Sequence, residues 1–294
     1  MPPRNILLCF DAFGTLFRPR QPIAQQYGEV ARSLGLANIK NEDVNKSFKA
    51  AFKQESKQNP NYGKQNGLNA EKWWSRIIVN TFTPLIPAGQ KLPEELVPKL
   101  LHRFWSKEGY VLYPDVLPLL QQLRKAHRYG NARVVVGVIT NSDDRVPDIL
   151  TSLGMKVSPL RFPVNQKLES RDEYDIDFAV MSYDVGFEKP DARMFEAGKT
   201  MLEAVIGGSI EDAKEWRKIY VGDEYAKDVV GAVEAGWNAV LVERDNDADR
   251  HGVKWLEGEP TKSLYEVFET EKAVGFCSLG RLAQWLPGGR RIEN

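Results

Sequence analysis

The sequence predicts an α/β fold: a Rossmann-like parallel-sheet core with an all-helical domain inserted after the first strand. Three observations predict it. Short apolar runs recur along the chain with helical patterns between most of them, as expected of parallel strands joined by crossover helices. One long interval, from about Arg18 to Tyr110, carries helical periodicity and no strand. Polar residues collect where the apolar runs end, and in such sheets ligands bind beyond the carboxyl ends of the strands.

Five runs read as buried strands: Ile6–Phe10, Val134–Ile139, Phe178–Met181, Ile219–Val221 and Ala239–Val242. They are short, and several are rich in Val and Ile. At the ends of the first four stand Asp11, Thr140-Asn141, Ser182 and Gly222-Asp223. Within the long interval, Tyr27, Val30, Ala31 and Leu34 recur at helical spacing, as do Val97, Leu100, Leu101 and Phe104. Residues 18–110 are too many for a loop and read as the helical insertion. Residues 1–17 and 111–294 read as the core, re-entered through the amphipathic pattern of Val116, Leu119, Leu120 and Leu123. The polar stretch Lys53–Asn69 reads as a solvated loop. Trp73 and Trp74 read as core, since neighbouring helix positions cannot both face one pocket. Asp172–Asp177 reads as a solvated turn, and the chain from Asp245 onward as polar loops with one amphipathic stretch, Leu279–Leu286.

Composition narrows the class. A length of 294 residues suggests about two domains. Lys+Arg and Asp+Glu both number 40, so no bulk field favours nucleic acid or an anionic membrane. No apolar run approaches the ~20 residues of a membrane span. The two cysteines, Cys9 and Cys277, cannot make a disulfide framework and fit a reducing compartment. Cys9 lies inside an apolar run and reads as a small buried hydrophobe. The first run starts almost at Met1, which leaves no room for a signal peptide. A cytoplasmic or nuclear protein is expected.

Four segments carry the chemistry. In Phe10-Asp11-Ala12-Phe13-Gly14-Thr15-Leu16, a carboxylate leaves a buried strand into a glycine turn, where it can act as a nucleophile. In Val138-Ile139-Thr140-Asn141-Ser142, a hydroxyl and backbone amides at a strand-to-helix junction suit anionic oxygens. In Glu188-Lys189-Pro190-Asp191, a lysine precedes a helix and could neutralise a nucleophile and its target. In Gly222-Asp223-Glu224-Tyr225-Ala226-Lys227-Asp228, clustered oxygen ligands suit Mg²⁺. Taken singly, each has an ordinary explanation. Asp11 can bond its own turn, Thr140-Asn141 can cap a helix, and Lys189 can sit at the surface. A helix N-terminus favours an Asp, though it explains one acidic residue more easily than Asp223, Glu224 and Asp228 together.

In this order and setting, the four segments resemble the haloacid dehalogenase-like hydrolase superfamily. Its pattern is a nucleophilic Asp, a Thr or Ser, a Lys and Gly-Asp-x-x-x-x-Asp. The likeness spans Asp11 to Asp228, and the helical insertion looks like that superfamily's cap. It implies Asp11 as nucleophile, with Thr140 and Lys189 holding the substrate's anionic group and Thr15 and Asn141 as further substrate contacts. It implies Mg²⁺ on Asp11, the backbone carbonyl of Phe13 and Asp223, with Asp228 helping directly or through water. The partner implied is a small phosphorylated molecule, with neither nucleic acid nor membrane. A closer likeness, to the domain-containing protein 3 group of these hydrolases, rests on Arg18-Pro19-Arg20, Tyr27, Asn61-Tyr62-Gly63, Gly67-Leu68, Trp73-Trp74 and Ser278-Leu279-Gly280.

The sequence departs from the phosphatase pattern at one position. Phosphatases of the superfamily carry a second Asp two residues after the nucleophile, to protonate the leaving oxygen. Here Phe13 stands there, and a phenyl ring transfers no proton. His102, His127 and His251 lie near none of the motifs in sequence. Asp11-Ala12-Phe13-Gly14-Thr15 is similar instead to the first motif of 2-haloacid dehalogenases, which need neither acid nor metal. Those enzymes lack the Gly-Asp pair that this chain keeps, whereas phosphonatases lack the second Asp and still use Mg²⁺. The leading expectation is a Mg²⁺-dependent, phosphatase-type hydrolase working through an aspartyl-enzyme intermediate on Asp11, weak or dependent on a good leaving group. The alternatives are a metal-free 2-haloacid dehalogenase and a non-catalytic binding or regulatory protein on the same fold.

Overall fold

The computed structural model describes residues 5–129, 133–164, 174–207, 215–244 and 251–289. In chain order the elements are β1 (Ile6–Phe10), β2 (Phe17–Pro19), α1 (Ile23–Ser33), α2 (Asn41–Gln58), α3 (Ala70–Phe82), α4 (Leu96–Arg103), β3 (Tyr110–Leu112), α5 (Val116–Tyr129), β4 (Val134–Thr140), α6 (Val146–Ser152), β5 (Phe178–Met181), α7 (Ser182–Val185), α8 (Ala192–Ile206), β6 (Arg217–Gly222), β7 (Asn238–Val242), β8 (Lys254–Trp255) and β9 (Ala273–Phe276). They form two compact units. One comprises Met1–Arg18, Leu112–Asn141 and Gly154–Asn294, and the other Pro19–Val111 and Ser142–Leu153.

The first unit is built on a seven-stranded sheet of order β5-β4-β1-β6-β7-β9-β8, parallel at every pairing. Its inner strands are buried on both faces, which is why they read as unbroken apolar runs. All five residues of β1 and all seven of β4 are buried. Phe10 is in register with Val138 of β4 on one side and Val221 of β6 on the other. Strand β1 therefore ends between β4 and β6, where the winding order reverses and such sheets open a crevice. One face carries Leu7, Cys9, Ile139, Val180 and Tyr220, packed with Met194, Phe195 and Met201 of α8 and with Trp237.

The second unit is helical. Tyr27 of α1 lies 5.2 Å from the Phe48 ring of α2, 6.0 Å from Phe82 of α3 and 5.3 Å from Phe104. Asn69 caps α3, its side chain accepting from the Lys72 amide at 2.9 Å, the usual economy at a helix start. No helix among the described residues is long and apolar enough to cross a membrane.

The structure corrects three expectations. Lys53–Asn69 is not a loop throughout, because α2 runs on to Gln58. Its spacing of Val44, Phe48, Ala51 and Glu55 includes a buried carboxylate, satisfied by Asn59 Nδ2 at 2.7 Å and Arg76 at 3.3 Å. The turn that follows is solvent-exposed from Lys64 to Gly67, and it is anchored at its start, where Trp73 Nε1 donates to the carbonyl of Asn59 at 2.9 Å. The turn before β5 is not solvated where it is described. Asp177 accepts from the Val136 amide at 2.8 Å, and Asp175 accepts from the Lys156 amide at 2.9 Å and pairs with Arg124 at 3.0 Å. Asp172 and Glu173 lie outside the described residues. The third correction is β9, a parallel neighbour of β7 in the region read as polar loop.

Candidate active site

Each predicted residue sits at or beside a strand end of the first unit. Asp11 follows β1, and its amide donates to the carbonyl of Val221 at 2.9 Å, which fixes the carboxylate's origin against β6. Thr140 is the last residue of β4 and Asp223 the first after β6. Lys189 lies in the loop before α8, which is anchored by Asp191. The Asp191 side chain caps that helix, accepting from the Arg193 amide at 2.9 Å.

Lys189 is the hub. It is 3% exposed, and its Nζ meets Asp11 Oδ1 at 2.9 Å, Asp228 Oδ1 at 2.7 Å and Tyr220 Oη at 2.6 Å. Three oxygens match the three donors of an ammonium. The Tyr220 hydroxyl donates onward to the carbonyl of Ile139 at 2.6 Å, so its remaining lone pairs face the lysine. The Lys189 backbone is held as well. Its amide donates to Asn141 Oδ1 at 2.7 Å, and its carbonyl accepts from Asn141 Nδ2 at 3.0 Å. Burial works to lower the Lys189 pKa, but the carboxylates of Asp11 and Asp228 hold it above the ordinary lysine value.

Two glycines make room for the acidic residues. Gly14 has φ +77, and a Cβ there would overlap the Asp223 carboxylate. A Cβ at Gly222 would overlap the carboxylate of Asp228. Thr15 Oγ1 donates to Asp223 Oδ1 at 2.7 Å, and the Glu224 amide donates to Asp228 Oδ2 at 2.9 Å. Arg244 secures the same turn from behind. Its Nη2 donates to the Thr15 carbonyl at 2.7 Å, while Nη1 pairs with both oxygens of Asp115 at 3.0 and 2.9 Å.

Asp11, Asp223 and Asp228 each offer a carboxylate oxygen within 4.8 Å of the others. With Lys189, three carboxylates and one ammonium leave two negative charges when all are ionised (−3 + 1 = −2). Burial pushes Asp223 up to about 7, the Thr15 hydrogen bond opposing and the charges of Asp11 and Asp228 adding. Burial raises Asp228 too, with the adjacent ammonium limiting the rise. An all-oxygen donor set that is short of two positive charges fits Mg²⁺.

The geometry thus brings together Asp11, Lys189, Asp223 and Asp228. Thr15 and Asn141 touch the group through Asp223 and Lys189, with their polar side-chain atoms engaged there. Thr140 is buried at the end of β4, and its hydroxyl makes no hydrogen bond to this network among the described residues. Phe13 is half-buried, its ring edge-on to Phe17 at 4.6 Å. Tyr220 and Arg244 escaped the sequence reading. A tyrosine in a buried run is the one signal that pointed to Tyr220, because its hydroxyl requires a partner. His251, distant from every motif in sequence, stacks on Tyr225 at 4.4 Å, two residues past Asp223.

Comparison with known proteins places these features in context. A profile of the haloacid dehalogenase-like hydrolases matches residues 7–236. The chain is 30% identical over 244 residues to an uncharacterized hydrolase of Schizosaccharomyces pombe, covering 81% of this chain and 92% of that one. It is 28% identical over 237 residues to haloacid dehalogenase-like hydrolase domain-containing protein 3 of Mus musculus, covering 80% and 81%. Among solved structures it is similar to a phosphatase of the same superfamily from Thermococcus onnurineus, with a TM-score of 0.51 at 19% identity over 97% of this chain and 100% of that one. It is also similar to a defluorinating L-2-haloacid dehalogenase, with a TM-score of 0.58 at 14% identity over 96% and 98%. The two structural likenesses share the fold and do not choose between the two chemistries.

Proposed function

The chain belongs to the haloacid dehalogenase-like hydrolase family, and from that premise we propose that it is a Mg²⁺-dependent hydrolase of the phosphatase type with Asp11 as nucleophile. The observation that carries this reading is the carboxylate cluster of Asp11, Asp223 and Asp228 around Lys189. Gly14, Thr15 and Gly222 all serve to build it. Asp11, the Phe13 carbonyl and Asp223 would hold Mg²⁺, with Asp228 supporting directly or through water. When bound, the ion supplies charge neutralisation at the transferring group.

Asp11 attacks phosphorus, forming an Asp11–phosphorus bond while the ester oxygen leaves with its electron pair. Water then cleaves that acyl phosphate, releasing phosphate and restoring the carboxylate. Lys189 keeps an ammonium against Asp11, which offsets the nucleophile's charge while an anion approaches. Thr140, at the neighbouring strand end, meets the anion's oxygens. Asn141 and Thr15 act through Lys189 and Asp223, which their side chains hold. Phe13 offers no proton to the leaving oxygen, so the reaction favours leaving groups that are stable as anions. The helical unit is the cap, and the substrate is a small phosphorylated molecule rather than nucleic acid or membrane. Two free cysteines and the absence of a net charge suit the cytoplasm or nucleus.

Phe13 also favours a second reading, metal-free dehalogenation of a 2-haloacid, because halide leaves without a proton. A screen of aryl, acyl and alkyl phosphates and 2-haloacids, with Mg²⁺ or with EDTA, separates the two. Phosphate release that EDTA abolishes supports the phosphatase. Halide release that survives EDTA replaces it. Ligand-induced thermal stabilisation with no turnover points to a binding or regulatory protein on the same fold.

A further inference from the structure

Arg244 follows β7, two places along the sheet from the strand that presents Asp11. The Glu243 amide beside it donates to the Phe276 carbonyl at 3.0 Å, which fixes where the side chain starts. The guanidinium carbon lies 3.9 Å from the centre of the Tyr113 ring. Nη1 meets both oxygens of Asp115 at 3.0 and 2.9 Å, and Nη2 donates to the Thr15 carbonyl at 2.7 Å. The pair is well shielded, with side chains 8% and 16% exposed.

Asp115 has a further partner. Its Oδ2 accepts from the Gly280 amide at 3.2 Å, one of the amides that a helix start leaves unpaired. Ser278 caps that short helix, Leu279–Ala283, its Oγ accepting from the Arg281 amide at 3.1 Å. Ser278-Leu279-Gly280 is thereby joined through Asp115 and Arg244 to the turn after β1.

Within that turn, the carbonyls of Ala12, Leu16 and Phe17 accept from the backbone amides of Leu16, Tyr113 and Gly14. The Thr15 carbonyl accepts instead from a side chain 229 positions away. Thr15 is fully buried, and a β-branched side chain is stiff at χ1. The orientation of its backbone therefore sets where Oγ1 points, and Oγ1 holds Asp223 Oδ1 at 2.7 Å.

We propose that Arg244 is a positioning residue for the cation site: by bridging Asp115 to Thr15, it fixes the hydroxyl that aims Asp223. This rests on the Mg²⁺ reading of Asp11, Asp223 and Asp228. Charge and position make opposite demands here. Removing the guanidinium leaves Asp115 uncompensated, which by charge alone strengthens binding of a nearby cation. Loss of position weakens it, because a ligand must be held close to its productive geometry by its supporting residues.

The test is calorimetric titration of MgCl₂ into the full chain, at a temperature where thermal unfolding shows every variant folded. Arg244→Met keeps the stem and removes the fork, and should lose at least about tenfold in affinity, the scale of a lost supporting residue. Arg244→Lys keeps the charge without the fork and should also bind more weakly than the native chain. Thr15→Val should lose affinity, and adding Arg244→Met to it should cost little more, since residues acting through one contact are not additive. Native or tighter binding in Arg244→Met overturns the proposal, as does full affinity in Arg244→Lys. Losses that simply add in the double variant overturn it too. A native chain that binds no Mg²⁺ removes the metal reading itself and this proposal with it, an outcome distinct from native binding that Arg244 does not affect. If Arg244→Met does not fold, Arg244→Lys alone and combined with Thr15→Val carries the same comparison.

Discussion

Asp223 and Asp228 belong to one motif but differ in what they have left for a cation. Asp228 has Oδ1 on the Lys189 ammonium and Oδ2 on the Glu224 amide, and it is 1% exposed. Asp223 has one oxygen on Thr15 and is only half-buried. Titration calorimetry should therefore show Asp223→Asn losing more than about 100-fold in Mg²⁺ affinity, and Asp228→Asn the 10–100-fold typical of supporting residues. Unchanged affinity in the Asp223 variant would remove the metal assignment. These residues were legible in the sequence because chemistry restricts their type and spacing. Tyr220 was not, because its partners are remote in sequence: Ile139 lies 81 positions away and Lys189 31. Within Ile219-Tyr220-Val221 its hydroxyl signals a need for a partner, but which partner shows only once those strands are paired.

At the scale of elements, the turn after β1 is as specific as the nucleophile it presents. Gly14→Ala places an L side chain at φ +77 and drives a methyl into Asp223. The backbone term costs ~1–2 kcal/mol, a fall of roughly 2–4 °C in Tm for a chain of this size. Mg²⁺ affinity should fall disproportionately, by at least about tenfold. A variant that loses the same stability but binds Mg²⁺ normally would show that the close approach has no role. The elements legible from pattern alone were β1, β4 and β5, whose apolar runs are buried throughout. Helix α2 was hidden by composition, since only Val44, Ala51 and Glu55 of its residues are buried and its surface is Lys- and Gln-rich. Strand β9 was hidden by brevity, four residues including a glycine that faces the Trp255 ring. Its strand character comes from pairing with β7, which no local pattern shows.

For the molecule as a whole, both stability and reaction follow from groups buried in one protonation state. Burial pushes the Tyr110 phenol up to about 12, Arg145 opposing and Asp143 adding, and raises Tyr27 still further. A folded-state pKa above the unfolded one gives stability that is complete below the unfolded value, about 10, and lost as pH rises through the folded one. For Tyr110 the amount is about 3 kcal/mol. Tm should hold to about pH 10 and then fall, less steeply in Tyr110→Phe, and equal slopes would contradict the account. The central claim concerns the reaction, in which Asp11 displaces a leaving group that Phe13 cannot protonate. The direct measurement is kcat/KM across phosphate esters of graded leaving-group pKa, for the native chain and Phe13→Asp, with Asp11→Asn as background. The native chain should depend steeply on leaving-group pKa, with alkyl esters disadvantaged by roughly the 10²–10⁴-fold that acid–base assistance supplies. Phe13→Asp should flatten the dependence in part, since an apolar setting raises a carboxyl's pKa. Alkyl esters cleaved by the native chain as fast as aryl esters would contradict the account, and would direct attention to another proton donor such as the imidazole stacked on Tyr225.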